Sequence, residues 1–226
     1  MLADSWGVAV LLTRPDGTAI TKPSNFTYFC DEFIRKNEKG FRNCLNSDAE
    51  LGRYNPSGPT IQKCLSAGLW GAGASITVGG RHVANWLIGQ VRNEAQSEEQ
   101  IIKYAREIGA DEEAFREAFL QVPVMSQQKF DQIANTLFSL ADQLSNRAYQ
   151  NIQQARFIVE RMRAEEALRE SERKLSEAQS IAQLGYWKWD LGTGNVEWSE
   201  EVFKIFQLNP NSFSPQIDSI MALSPW

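Results

Sequence analysis

The chain of 226 residues is 42% hydrophobic and 23% charged, an ordinary globular composition with room for about one and a half domains, which excludes a disordered segment and a miniature scaffold alike. Its 23 Lys and Arg against 28 Asp and Glu leave a net charge of -5, so the basic excess that drives counterion release on nucleic acid is missing. The longest apolar run, residues 7–12, falls far short of the roughly 20 that span a bilayer; three cysteines and a single histidine fit a reducing cytoplasm and exclude two-histidine metal motifs.

Residues 6–13 are apolar and β-branched and read as a strand; the turn Arg14-Pro15-Asp16-Gly17 leads into a return strand at 18–21. Ser24 is a candidate N-cap for a helix with Phe26, Phe29, Cys30, Phe33 and Ile34 on one face, ended by Gly40. A second short helix begins at or just before Ser47 and is broken by residues 55–59, which hold Pro56, Gly58 and Pro59. Residues 60–65, 69–78 and 81–91 read as strands, the last two joined by a Gly79-Gly80 turn. Amphipathic helices follow at 97–108 and 111–119, the second with Asp111, Glu112 and Glu113 at its positive end. Strands with helices on one side make an α+β sandwich.

From Ser126 no Gly or Pro occurs until Gly185, which predicts one long helix. Ile133, Leu137, Leu140, Leu144, Ala148, Asn151, Ala155, Ile158 and Met162 recur at steps of three and four. After a shift, Ala164, Leu168, Ser171, Leu175, Ala178 and Ala182 continue the seam of a coiled coil. So thin an apolar stripe on so polar a helix, with pairs such as Glu165/Arg169 and Glu170/Lys174, calls for a partner helix and hence a parallel homodimer. Residues 185–191 alternate as a half-buried strand with Trp187, Trp189 and Leu191 on one side. A turn at 192–195, a strand at 196–198 and a helix capped by Ser199 complete the tail.

Several blocks then occur in order: S-N-F-x-x-F-C from Ser24, G-x-x-N-C-x-x-S-D from Gly40, K-C-L-S-A-G-L-W from Lys63, and G-A-S-I-T-V-G-G-R-H-V-A-N-W-L-I-G-Q-V up to Val91. Together they resemble the PocR-type sensory domain, over about residues 1–150. The resemblance implies a PAS-like antiparallel sheet with flanking helices that senses a small organic molecule. It also implies a setting ahead of PAS repeats in bacterial histidine kinases, diguanylate cyclases or transcription regulators. Relatives usually carry an extra helix before the first strand, so the N-terminus is expected to be cut short; many have an acidic residue where this chain has Gly71. Residues 179–208, with A-x-x-I-A-x-L-G-x-W-x-W-D-x-x-x-G-x-V-x-W-S-x-E, are similar to the opening of a PAS domain. The expected organisation is a sensory domain at 1–125, a signalling and dimerisation helix at 126–182 and a partial PAS unit at 183–226. An output domain, of the histidine-kinase type by resemblance, is expected beyond Trp226.

Cys30, Cys44 and Cys64 lack the close pairs of a zinc ribbon. They are either inert core thiols or, with His82, a converging set that holds a metal or senses redox state. Trp70 and Trp86, with Asn85 or His82 as polar group, form either a small-molecule pocket or ordinary core. The candidate ligand-binding residues are therefore Cys30, Cys44, Cys64, Trp70, His82, Asn85 and Trp86. Gly68, Gly71 and Gly73 are not followed by the G-K-[ST] of a phosphate loop, no nucleophile or acid-base pair has a recognisable spacing, and no particular cofactor is indicated. The three functions in view are a small-molecule sensor, a metal- or redox-responsive switch and a non-binding dimerisation scaffold.

Overall fold

A computed structural model describes residues 2–93 and 98–223, and its contacts divide the chain into units at 1–153 and 154–226. The first unit opens with α1 (Leu2–Trp6) and β1 (Ala9–Thr13), followed by a π-helical segment (Phe29–Ile34) and α2 (Glu38–Leu51). Then come β2 (Thr60–Lys63), β3 (Trp70–Val78), β4 (Arg81–Val91), α3 (Glu98–Ile108), α4 (Glu112–Leu120) and the first part of α5 (Gln127–Ile181). The strands form one antiparallel sheet in the order β1-β4-β3-β2. Bridges Thr13↔Ala19 and Val10↔Ser24 extend it beyond β1. The α+β layout expected from the pattern of elements is present.

Register gives the sheet two unlike faces, because side chains alternate along each strand. The rows Val10–Ile88–Ala72 and Leu12–Trp86–Ala74 face α5 and pack on Phe130, Ile133, Ala134, Leu137 and Ala141. The opposite rows are Ala9–Gly89–Gly71, nearly bare of side chains, and Leu11–Leu87–Gly73, and α2 packs against β3 and β4. A Cβ on Gly73 would stand 2.6 Å from the Leu51 carbonyl oxygen, so this glycine lets the end of α2 rest on the sheet. A third cluster joins the π-helical segment to α3 and α4. In it Phe29, Phe115 and Phe119 are fully buried, and the Phe29 and Phe115 rings meet edge to face at 4.7 Å.

In the second unit, α5 runs on to Ile181 and is followed by the hairpin β5 (Trp187–Trp189) and β6 (Val196–Trp198), then α6 (Glu200–Ile205) and α7 (Ile217–Leu223). Asp190 turns the hairpin by accepting from the backbone N–H of Gly192 and Thr193. Val196, Val202 and Phe203 are buried, and Trp198 stacks on Phe206 at 5.2 Å.

Several local expectations are corrected. Trp6 ends a short helix instead of starting a strand, so β1 is preceded by a helix where none was expected. Ser24 caps nothing: it pairs with Val10, and only Phe29–Ile34 coils, with π geometry. Gly40 ends no helix; it sits in the first turn of α2, its N–H bound to the Asn37 cap, packed so closely on the Ile34 carbonyl that a Cβ would collide. Glu165 pairs with Arg161, not Arg169. The β5 tryptophans are not half-buried: Trp187 and Trp189 are 58% and 43% exposed. Ser97, the expected start of α3, lies outside the described residues.

Candidate functional site

Where this face of the sheet meets α2, the first unit has a cavity of about 70 Å³, room for a few waters or a molecule of a few heavy atoms. Its existence follows from strand register, which aligns Ala9, Gly89 and Gly71 in one row and leaves almost no side chain there to fill the space. Leu11, Leu87, Leu51 and Leu69 complete an apolar lining. The roof is the face of α2 formed by Cys44, Ser47, Asp48 and Leu51, at i, i+3, i+4 and i+7.

Charge enters at one place. Arg35, just after the π-helical segment, lays its guanidinium 4.8 Å over the Phe26 ring and donates from Nη2 to Asp48 Oδ2 at 3.1 Å. Its Nε–H is buried and has no partner, which is costly for a charged donor unless something else fills the role. Burial pushes the Asp48 carboxyl up to about 6, against the opposing pull of Arg35. A carboxyl so placed changes charge near neutrality, a property that clusters at functional sites.

Gln90 is set by a bulge. The register of β3 and β4 slips between Trp70 and Gly71, and Gln90 takes up the extra residue at φ 59°. A side chain in left-handed backbone costs on the order of 1–3 kcal/mol and persists only where its surroundings demand it. Here Gln90 Oε1 accepts from the Thr27 backbone N–H at 2.7 Å and from the Thr27 hydroxyl at 3.0 Å, anchoring the segment that carries Phe26.

Cys30, Cys44 and Cys64 all border the cavity. Burial pushes the Cys44 thiol up to about 12 and raises Cys30 and Cys64 as well, so all three stay protonated and weakly nucleophilic. Trp70 also borders the cavity, with its ring 6.4 Å from Phe130; its Nε1 is buried without a partner. Trp86 packs on the α5 side of the sheet. His82 and Asn85 do not border the cavity either.

Asn85 is instead a buried strut. Its Nδ2 donates to Thr13 Oγ1, the Arg14 carbonyl and the Asp48 carbonyl, and this fixes its Oδ1 as acceptor from His82 Nε2 at 2.6 Å. The Asp48 carbonyl belongs to the α2 residue whose side chain borders the cavity, so Asn85 ties β4 and β1 to the roof. With His82 so engaged, the anticipated three-cysteine and histidine set does not assemble. Among the described residues no group of three or more His, Cys, Asp or Glu is placed to hold a metal ion.

Arg35, Asp48, Phe26, Ser47 and Gln90 are not among the candidates that the sequence singles out. The available signal is the spacing of Cys44, Ser47, Asp48 and Leu51. It is obscured because Gly40 reads as a stop, which places the start of α2 near Ser47 instead of at Glu38.

Among the described residues, no helix is long and apolar enough to cross a membrane. Comparison with known protein families matches residues 1–149 to the sensory domain found in PocR. Neither the curated proteins nor the solved structures offered a match.

Proposed function

The chain belongs to the family of the sensory domain found in PocR, and from that premise we propose that its first unit binds a small organic molecule in the cavity between the sheet and α2. The observation that carries this reading is an apolar cavity with one unspent, buried, charged donor, Arg35 Nε–H, inside the matched residues. Apolar walls with a few convergent polar groups are the usual make-up of a small-molecule site. Of the residues first singled out, Cys30, Cys44, Cys64 and Trp70 remain candidates for direct contact, while Asn85 and His82 serve as supports.

Occupancy is relayed through α5 as a parallel homodimer to a PAS-type unit at 183–226 and on to an output domain of the sensor histidine-kinase type, in the cytoplasm. The exposed Ile158, Met162, Leu168 and Leu175 support the dimer, and the β5–β6 hairpin followed by α6 supports the PAS reading. The sheet is linked to α5 by the Thr77 backbone N–H, which donates to Ser145 Oγ at 3.0 Å, and by the apolar rows already described. For a signal to pass, the ligand must favour one arrangement of this contact over another, since equal affinity shifts nothing.

Thermal shift against a panel of small organic metabolites, with native mass spectrometry of the purified chain, tests binding. Expected is at least one compound that raises Tm in the wild type and not in Cys44→Met, which fills the cavity without adding charge. A panel without effect on either protein, or an effect that Cys44→Met leaves intact, overturns the assignment.

A further inference from the structure

The cavity offers more than apolar space, and its polar edge narrows the ligand class. Resting on the reading that this cavity is the ligand site, we propose that it takes a short-chain monocarboxylate, whose carboxylate accepts the Arg35 Nε–H and shares one proton with the side chain of Asp48.

The geometry begins with the guanidinium. Nε–H and an Nη2–H lie along one edge of the planar fork, the edge on which a carboxylate docks. Asp48 uses only Nη2, at 3.1 Å, and leaves Nε–H unmet. An oxygen that arrives at Nε therefore comes to rest on the same guanidinium as the Asp48 carboxylate. Two carboxylates sharing one buried site favour a proton held between them, which raises the pKa of one of the pair.

The surroundings make that proton accessible. Facing Asp48 are Arg35, from the turn after the π-helical segment, and Cys44 on α2 itself, with Cys64 beyond Cys44; the sheet presents only neutral groups to the cavity. The thiols remain neutral, so the titration belongs to Asp48 alone, and its desolvated carboxyl already stands near its protonated form. Without ligand the site holds one positive and one negative charge; with it, the site holds Arg35, the ligand anion and a neutral Asp48. Net charge is zero in both states, and no buried charge is left unbalanced. A cationic ligand would meet the Arg35 charge. A neutral alcohol would gain a bond assisted by the charge of Arg35 alone, whereas a carboxylate gains one in which both partners are ionised. The leucine-rich walls and the small volume limit the alkyl chain to a few carbons.

Isothermal titration of the full chain with propionate, 1-propanol and propionamide between pH 5.5 and 8 tests the proposal. Propionate stays ionised throughout most of this range, so any pH dependence reports the protein. Its affinity is expected to weaken about tenfold per pH unit above about 6, with one proton taken up from buffer per molecule bound. In Asp48→Asn the amide N–H donates to the ligand in place of the shared proton. This variant is expected to bind propionate with that pH dependence gone, and Arg35→Lys, which lacks Nε, to bind at least tenfold more weakly than the wild type at pH 6.

Propanol or propionamide binding while propionate does not would overturn the carboxylate assignment and leave the cavity reading standing. Propionate affinity that is flat or rises with pH would overturn the shared proton. If none of the three probes binds while another metabolite stabilises the wild type but not Cys44→Met, the inference fails alone; if the effect survives in Cys44→Met, the cavity reading fails with it.

Discussion

Two stretches of α5 differ although they belong to one continuous helix. Between Phe130 and Ser145 it buries Phe130, Ile133, Ala134, Leu137, Ala141 and Ser145, most of them against the sheet. From residue 146 to Ile181 no side chain is buried, and Phe157, Met162, Leu168 and Leu175 stand mostly exposed. The second stretch carries ion pairs Arg161–Glu165, Arg173–Glu177 and Lys174–Glu170, all exposed and therefore weak. Helical conformation alone thus says little about stability, because most helix stability in proteins comes from packing an apolar face. The first stretch is part of a domain core; the second has the pattern of a core, yet none of its own side chains is buried.

The buried side of this contrast is tested hardest at Phe115, whose fully buried ring meets Phe29 and Phe33. Phe115→Ala should cost about 3–5 kcal/mol in urea unfolding of the first unit. A direct test of the contrast pairs Leu137→Ala with Leu168→Ala. The first is expected to cost roughly 2–5 kcal/mol, the second less than about 0.5 kcal/mol in the same unfolding transition. Leu168→Ala combined with Leu175→Ala should leave that transition unchanged yet weaken self-association at least tenfold in analytical ultracentrifugation. Equal costs at 137 and 168, or unchanged association, would remove the distinction.

Smaller effects probe how the roof of the cavity is held. Asn85→Ala takes its partner from Thr13 Oγ1 and leaves the Arg14 and Asp48 carbonyls and His82 with one partner each, and should cost about 1–3 kcal/mol by chemical denaturation. Asp48 gives a pH signature. Its folded value of about 6 lies above its ordinary 3.8, so the folded state holds the proton more tightly. The stability it contributes is fully present below about pH 4 and is lost as pH rises through 6, on the order of 1–3 kcal/mol in all. The difference between wild type and Asp48→Asn in Tm scans from pH 4 to 8 should follow this course. A difference independent of pH would mean that Asp48 is not desolvated.

Much of the fold is legible along the chain. The Gly79-Gly80 turn places β3 and β4, Asp111 marks the start of α4 by accepting from the Ala114 N–H, and the absence of Gly and Pro delimits α5 to within a few residues. Where local rules fail, a tertiary contact overrides them. Gly40 reads as a stop, yet it is needed for the close pass of α2 under Ile34, and Ser24 reads as a cap although its backbone is taken by Val10.

The candidate site divides in the same way. Cys30, Cys44 and Cys64 stand out by type, while Asn85 and His82 stand out as convergent polar groups but turn away from the cavity into the strut beneath α2. Arg35 and Asp48 do not stand out, since a charged residue is ordinary in sequence and only burial makes it unusual. The sequence by itself determined most of the element types, the glycine-poor stretch that becomes α5 and its apolar seam, because these depend on neighbours a few residues apart. Only the tertiary structure decided that the bare Ala9–Gly89–Gly71 row lies under α2, and that an unspent guanidinium N–H and a desolvated carboxyl share the resulting space. Strand register and burial are relations between distant segments, and no local pattern encodes them.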